Sequence, residues 1–389
     1  MLCIDHEGGH GGASRSLYFL VRAMNREDVA VDIYCRRKGP LMDNYDLLGV
    51  PVTEAGWLPL WRAQPTFRET VAQFLRVIPA AWKARDELRA LSRRVREEFD
   101  VVHVNYESLL PVALWLKLTT KKPQIHHCRA RIRRTPWGRV HVKVASMIAD
   151  KLIFITENER DHFCSLGGRS GAVIYNPAPE AEGASEGRVS LPHDGRLKVM
   201  SLSNYSHDRG VDRVVEVAKS LKDSGRHDIL FIMVGDMHLH LADPGCLGEL
   251  ARKGGELSDY ANAEGVSDMF LFLGHVAEPE PLICQTDLVV KLSRFDEPWG
   301  RDVIEAMSFG APVLATGTWQ GFVEHDRNGL LFSDFRPDDV ASALAHLADD
   351  RSLVRKMGER ARQHIKRQCD PEVQAEKLVV EWQSVFAVH

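Results

Sequence analysis

The chain has 389 residues, is 44% hydrophobic and 27% charged, and carries a formal net charge of −4, which is ordinary globular usage with room for two cores. No apolar run approaches the roughly 18 residues of a bilayer-spanning helix, and the start, Met1-Leu2-Cys3-Ile4-Asp5, lacks a basic stretch ahead of an apolar segment, so neither a membrane span nor a signal peptide is expected. The seven cysteines (Cys3, Cys35, Cys128, Cys164, Cys246, Cys284, Cys369) are scattered without a CxxC pair, which argues against a disulfide framework and a structural zinc site and for reduced thiols in a cytosolic protein.

In chain order, short Val- and Ile-rich runs alternate with amphipathic stretches. The first half predicts strands at 2–5, 29–35, 101–104, 124–127, 152–156 and 172–175, with helical periodicity over roughly 13–25, 67–98, 108–119, 139–150 and 157–165. The first strand runs into Asp5-His6-Glu7-Gly8-Gly9-His10-Gly11-Gly12-Ala13-Ser14-Arg15-Ser16. Glycines there let backbone approach a phosphate or sugar, and the following helix N-terminus favours an anion. A dinucleotide fingerprint would need glycine where Ser14 stands, and no GxxxxGK[ST] occurs, so a P-loop is excluded. Residues 1–180 hold about 27 Lys and Arg against about 20 Asp and Glu, a balance near +7 that leaves the remainder near −11. The cations gather in 83–96 and 129–143, readable either as solvated helix faces or as a surface for a polyanionic or membrane-bound acceptor.

The stretch 177–196, poor in large apolar residues and rich in turn formers, separates a second series of strands at 197–202, 229–234, 269–273, 288–292, 312–316 and 330–332. Strands alternating with helices in both halves predict an α/β protein of two Rossmann-like, doubly wound parallel-sheet domains, with a ligand crevice at the carboxyl ends of the strands. The expected divisions are 1–180, 181–370 and a terminal helix over 371–389. That helix opens on Asp370 as N-cap and Pro371, and carries Leu378, Val379, Trp382 and Val385 on a face that must be buried.

The richest segment follows the strand at 288–292. Pro298 and Gly300 turn the chain into a helix whose first N–H groups point into the crevice, with Glu297 just before it and Glu305 two turns inside. A carboxylate accepts two hydrogen bonds from a vicinal diol, and a nucleoside diphosphate sugar has such diols at both ends. Gly310 and Pro312 then stop the helix. No HExxH motif or carboxylate pair at metal spacing is present, so no metal site is expected.

These residues resemble the retaining glycosyltransferases of family four, which have the GT-B fold. The family pattern E-P-F-G-x-x-x-x-E-A-M-A-x-G-x-P-V is followed over 297–313, with Trp299 for Phe and Ser308 for Ala. The resemblance extends to Gly11-Gly12-Ala13, Val173-Ile174-Tyr175-Asn176-Pro177, Val234-Gly235-Asp236, Phe272-Leu273-Gly274 and Asn328-Gly329-Leu330-Leu331. It implies that Glu297 contacts the donor sugar and Glu305 its ribose. Gly11 and Gly12 would sit against the diphosphate, and Pro298, Trp299, Gly300 and Arg301 would form the donor-binding turn. Of the two cations that the family places on the diphosphate, Arg209 occupies one position and Asn204 stands at the other. Two alignments of 125–129 put either His127 or Arg129 near the anomeric carbon; Arg129, with Arg15, would suit an acceptor phosphate.

The function this implies is metal-independent transfer of a hexosyl unit, with retention, from a nucleotide-diphosphate sugar to a glycan or lipid-linked acceptor in cell-surface polysaccharide or glycolipid synthesis. The sugar nucleotide is a co-substrate and no cofactor is expected. Nucleic acid is not an expected partner; an anionic membrane surface at the inner face of a membrane is. A nucleotide-sugar epimerase uses the same pair of domains, and a transferase lacking turnover is the non-enzymatic alternative.

Overall fold

The computed structural model describes residues 1–9, 11–24, 29–61, 67–179 and 189–387. Two compact units divide the chain: Met1–Pro177 together with Asp370–His389, and Ala178–Cys369. The boundary expected at 180/181 lies outside the described residues.

The first unit contains β1 (Leu2–Asp5), α1 (Gly12–Ala23), β2 (Asp32–Cys35), α2 (Leu41–Leu47), β3 (Val52–Glu54), α3 (Phe67–Lys83), α4 (Arg85–Glu98), β4 (Val102–Val104), α5 (Leu110–Thr120), β5 (Gln124–Cys128), α6 (Pro136–Ile148), β6 (Lys151–Phe154), α7 (Glu157–Ser165) and β7 (Ala172–Val173). The second contains β8 (Leu197–Leu202), α8 (Val211–Asp223), β9 (Ile229–Val234), α9 (Gly245–Arg252), α10 (Leu257–Ala263), β10 (Phe270–Gly274), α11 (Glu280–Ile283), β11 (Leu288–Lys291), α12 (Arg301–Ser308), β12 (Val313–Thr316), β13 (Gly329–Phe332), α13 (Pro337–Asp349) and α14 (Arg351–Gln368). The terminal α15 (Pro371–Phe386) belongs to the first unit.

Each unit is one parallel sheet, ordered β3-β2-β1-β4-β5-β6-β7 in the first and β10-β9-β8-β11-β12-β13 in the second. Strands such as β9, Ile-Leu-Phe-Ile-Met-Val, are buried along their whole length because helices cover both faces of the sheet. The order reverses between β1 and β4 and again between β8 and β11. At those switch points the connections leave toward opposite faces and open a crevice at the strand ends. The architecture is therefore the expected α/β pair of doubly wound sheets.

The terminal helix is started by Asp370, whose Oδ1 accepts the Glu372 and Val373 N–H groups at 3.0 Å each. Its apolar face packs Ala375, Leu378, Trp382 and Val385 against Leu17 and Leu20 of α1 and Cys3 of β1. Burying each of the larger side chains there contributes on the order of 1.5–3 kcal/mol. The Trp382 indole also donates to His103 Nδ1 of β4 at 2.9 Å.

Three details differ from the periodicity. The stretch 67–98 is two helices, broken at Ala84, rather than one. Residues 29–31 precede β2 instead of belonging to it. The pair α2–β3 carries no strong pattern, because β3 is a three-residue edge strand with two exposed residues.

Candidate functional site

In the second unit the side chains gather where β8 and β11 end. After β8 the chain turns through Ser203 and Asn204 into a short 3-10 turn, His207–Arg209, and then into α8 at Gly210. Gly210 has φ +68°, and a Cβ there would lie 2.0 Å from the Leu292 carbonyl oxygen, so only glycine lets this turn press against the end of β11. Arg294 fixes the same contact: its Nη1 donates to the His207 carbonyl at 2.6 Å and to Asp212 Oδ1 at 2.8 Å, and its Nη2 to Asp212 Oδ2 at 2.7 Å. Burial alone would raise the Asp212 carboxyl, but these Arg294 bonds hold it below the ordinary carboxylate range.

The result is that Arg209 and Glu297 face each other, Nη1 to Oε2 at 3.9 Å, with Arg209 the more exposed. Glu297 belongs to a loop that is itself clamped. Asp296 accepts from the Thr318 N–H at 2.7 Å and from its hydroxyl at 2.9 Å, while Pro298 and Trp299 are buried beneath. Gly300, at φ +139°, is the N-cap of α12, and a Cβ on it would lie 2.5 Å from Asp302 Oδ1. That leaves the first turn of α12 with backbone close to any anion lying over it.

Glu305 does not stand alone on α12. Arg301 Nε and Nη2 both donate to Glu305 Oε1, at 3.0 and 2.9 Å, and both side chains are buried. Asn204 is exposed and its Oδ1 accepts the Asp236 N–H at 3.0 Å, while the Asp236 carbonyl accepts the Tyr205 N–H at 2.8 Å. The asparagine thus ties the ends of β8 and β9 together. Lys291 is a site residue that the sequence reading passes over: buried at the end of β11, it pairs with Asp302 beneath Gly300. Burial pulls its ammonium below the ordinary lysine value, against the Asp302 carboxylate. The available signal was a lysine inside an otherwise apolar strand.

In the first unit the corresponding strand ends are those of β1, β4 and β5. Gly11 is the N-cap of α1 and Gly12 its first residue, with the Arg15 N–H donating to the Gly11 carbonyl at 3.2 Å and Arg15 half-buried on the first turn. A Cβ on Gly11 would lie 2.7 Å from Glu7 Oε2. Asp5 accepts from the Ser14 hydroxyl and, at 2.8 Å, from Asn105 Nδ2.

Asn105 Oδ1 in turn accepts from Arg129 Nε at 2.7 Å, and Asn176 Oδ1 from Arg129 Nη1 at 2.8 Å. The remaining nitrogen, Nη2, lies 3.2 Å from His127 Nδ1. His127 and Arg129 therefore form one buried network, and neither alignment of 125–129 leaves the two apart. A guanidinium only donates, so His127 Nδ1 accepts and its proton sits on Nε2. Burial, then the adjacent Arg129, keeps His127 neutral well below the ordinary histidine value. Its Nε2 is buried without a hydrogen-bond partner among the described residues.

Among the described residues no group of three His, Cys, Asp or Glu side chains is gathered closely enough to hold a metal ion, and no helix is long and apolar enough to cross a membrane.

Residues 10–181 match the family described as Glycosyltransferase Family 4, and residues 185–364 match Glycosyl transferases group 1. The D-inositol 3-phosphate glycosyltransferase of Kribbella flavida is 24% identical over 72% of this chain and 70% of its own length. The N-acetyl-alpha-D-glucosaminyl L-malate synthase of Bacillus anthracis is 31% identical, and the match spans 31% of each chain, about a third of that relative's length. In fold the chain is similar to Anabaena HepE, solved in complex with UDP-glucose, with a TM-score of 0.74 at 20% identity over 98% of both chains.

Proposed function

The chain belongs to the glycosyltransferases, a family-four region followed by a group 1 region, and from that membership we propose that it moves a hexosyl unit from a nucleotide-diphosphate sugar to an acceptor hydroxyl with retention of configuration. The observation that carries this reading is the pairing of Glu297 with Arg209 at the β8–β11 switch point, beside the glycine-capped start of α12. A carboxylate there accepts sugar hydroxyls, and the guanidinium with the first N–H groups of α12 meets the charge that grows on the departing diphosphate. HepE's complex with UDP-glucose supports trying a uridine donor first.

In this scheme Glu305, stiffened by Arg301, receives the ribose. Lys291 adds positive potential beneath Gly300, where the Arg209 side lacks a second cation because Asn204 stands in its place. Gly11, Gly12 and the start of α1 offer backbone N–H groups to an anion within the first unit, and Arg15 serves the acceptor. Arg129 acts through His127 by fixing its tautomer, so that His127 presents an Nε2–H donor and not a base. The acceptor hydroxyl then attacks the anomeric carbon from the side the nucleotide leaves and passes its proton to the leaving phosphate oxygen. The bond to oxygen forms as the sugar–phosphate bond breaks, with no enzyme nucleophile and no metal ion in the step. We further propose that the acceptor is a glycan or lipid-linked molecule of cell-surface synthesis, met at the inner face of a membrane by the basic first unit.

The test is stabilisation of the purified protein by UDP-, GDP-, ADP- and dTDP-sugars, with and without magnesium, followed by product analysis of the linkage. One sugar nucleotide that stabilises without metal and yields an α-linked product from an α-linked donor supports the scheme. Stabilisation by none of them, or a strict magnesium requirement, defeats it.

A further inference from the structure

Helix α3 faces the wrong way for a helix of a protein surrounded only by water. Val71, Leu75, Ile78 and Trp82 recur at four-, three- and four-residue spacing and form one stripe, and they are 38%, 71%, 64% and 69% exposed. The other side of the helix, with Ala72, Gln73, Val77 and Ala80, lines a cavity of about 670 Å³ together with Arg36 and Trp57, and the exposed Arg76 and Lys83 border it. The stripe is left outside, an arrangement that becomes favourable where an apolar phase lies beyond it.

The charge around the stripe identifies that phase. Arg68, Arg76 and Lys83 on α3 outnumber its one carboxylate, Glu69, and the exposed Arg85, Arg89 and Arg93 continue along α4, with Asp86 3.7 Å from Arg85 and 3.0 Å from Arg89. The Arg85 guanidinium lies 5.0 Å over the Trp82 ring, placing an aromatic plane and a cation together as headgroup-level anchors are. A helix of 17 residues is about 25 Å long and amphipathic, suited to lie in an interface and not to cross it.

We propose that the outer face of α3 docks the first unit on an anionic phospholipid bilayer, the four apolar side chains entering the acyl boundary and the flanking arginines pairing with lipid phosphates. This rests on the reading of the acceptor as membrane-bound and supplies the contact that reading needs.

The experiment floats the full chain with vesicles of phosphatidylcholine alone and of phosphatidylcholine mixed with phosphatidylglycerol, with no sugar nucleotide present. Expected are binding to the mixed vesicles that weakens as salt is raised, and a loss of at least about tenfold in Leu75→Ser/Ile78→Ser. Those two side chains are exposed, so the variant's thermal melt should match the parent. The charge-reversed Arg85→Glu/Arg89→Glu should lose binding as well. Absence of binding by the parent, or equal binding by the serine variant, overturns the proposal. So does a parent dimer that the serine variant converts to monomer, which would assign the face to a second copy. Because donor use is measured separately, a chain that transfers sugar without docking and one that docks without transferring are told apart.

Discussion

Arg301 gives two hydrogen bonds to one oxygen of Glu305, a single turn further along α12, and the pair is shut away from solvent. The carboxylate expected to hold a ribose is therefore also the counter-charge of a buried arginine. Removing it has two consequences that can be measured apart. Glu305→Ala removes two charge-assisted hydrogen bonds from a buried arginine and should cost about 3–5 kcal/mol in urea unfolding. Glu305→Gln keeps one acceptor and should cost less, yet still lose the thermal stabilisation conferred by the sugar nucleotide. If Glu305→Gln is stabilised by the donor as fully as the parent, Glu305 serves the fold alone.

Arg209 is held near Glu297 without a tight bond, as suits a cation whose partner is to be a leaving group. Arg209→Ala should lower kcat about 10²- to 10³-fold with a smaller change in donor affinity, and Arg209→Lys should recover part of the loss. Nucleotide release followed over time reads this directly. An unchanged kcat in the alanine variant would remove Arg209 from the reaction.

Arg294 never needs to touch a substrate to matter. It joins the His207–Arg209 turn to Asp212 and to the end of β11, so Arg294→Lys should lower stability by about 1–3 kcal/mol and raise KM for the donor. A variant with parental unfolding and parental KM would show that Gly210 and the backbone hold the turn unaided.

The first unit should be sensitive to acid. Burial holds His103 and His126 neutral down to about 3 and His141 down to about 4, against an ordinary value of 6.5. Below pH 6.5 the unfolded chain takes up protons at these sites and the folded chain does not. Stability is thus full above the ordinary value and falls by up to about 1.4 kcal/mol per pH unit for each histidine as pH drops toward the folded values. Urea midpoints at about pH 7.5 and about pH 5 measure the effect. Because Trp382 donates to His103, the acid transition should begin with loss of α15 packing, visible in the near-ultraviolet signal. Equal midpoints at the two pH values would contradict the argument.

Much of the fold was readable because parallel strands buried on both faces leave uninterrupted runs, as in β9, and because Gly310 and Pro312 mark the end of α12 without ambiguity. The donor turn was readable for the same local reason: residues 297–305 lie within one loop and one helix. What was hidden depends on distance in the chain. Arg129 is satisfied by Asn105 and Asn176, 24 and 47 residues away, and no spacing announces that. The Arg301–Glu305 pair does have a signal, a cation and a carboxylate four apart on a helix, but the same spacing marks ordinary ion pairs on solvated helix faces. For α3 the periodicity was visible and its meaning was not, since an apolar stripe in a sequence looks the same whether it faces a core or the outside.

The first unit is split by the second: Ala178–Cys369 is strung between β7 and α15. On a ribosome adding about 5–20 residues per second, the sheet β1–β7 is complete some 10–40 s before α15 emerges to cover Cys3, Leu17 and Leu20. For that interval the nascent chain carries an uncovered apolar face on an otherwise assembled sheet, and a chaperone that holds such surfaces has a defined window in which to act.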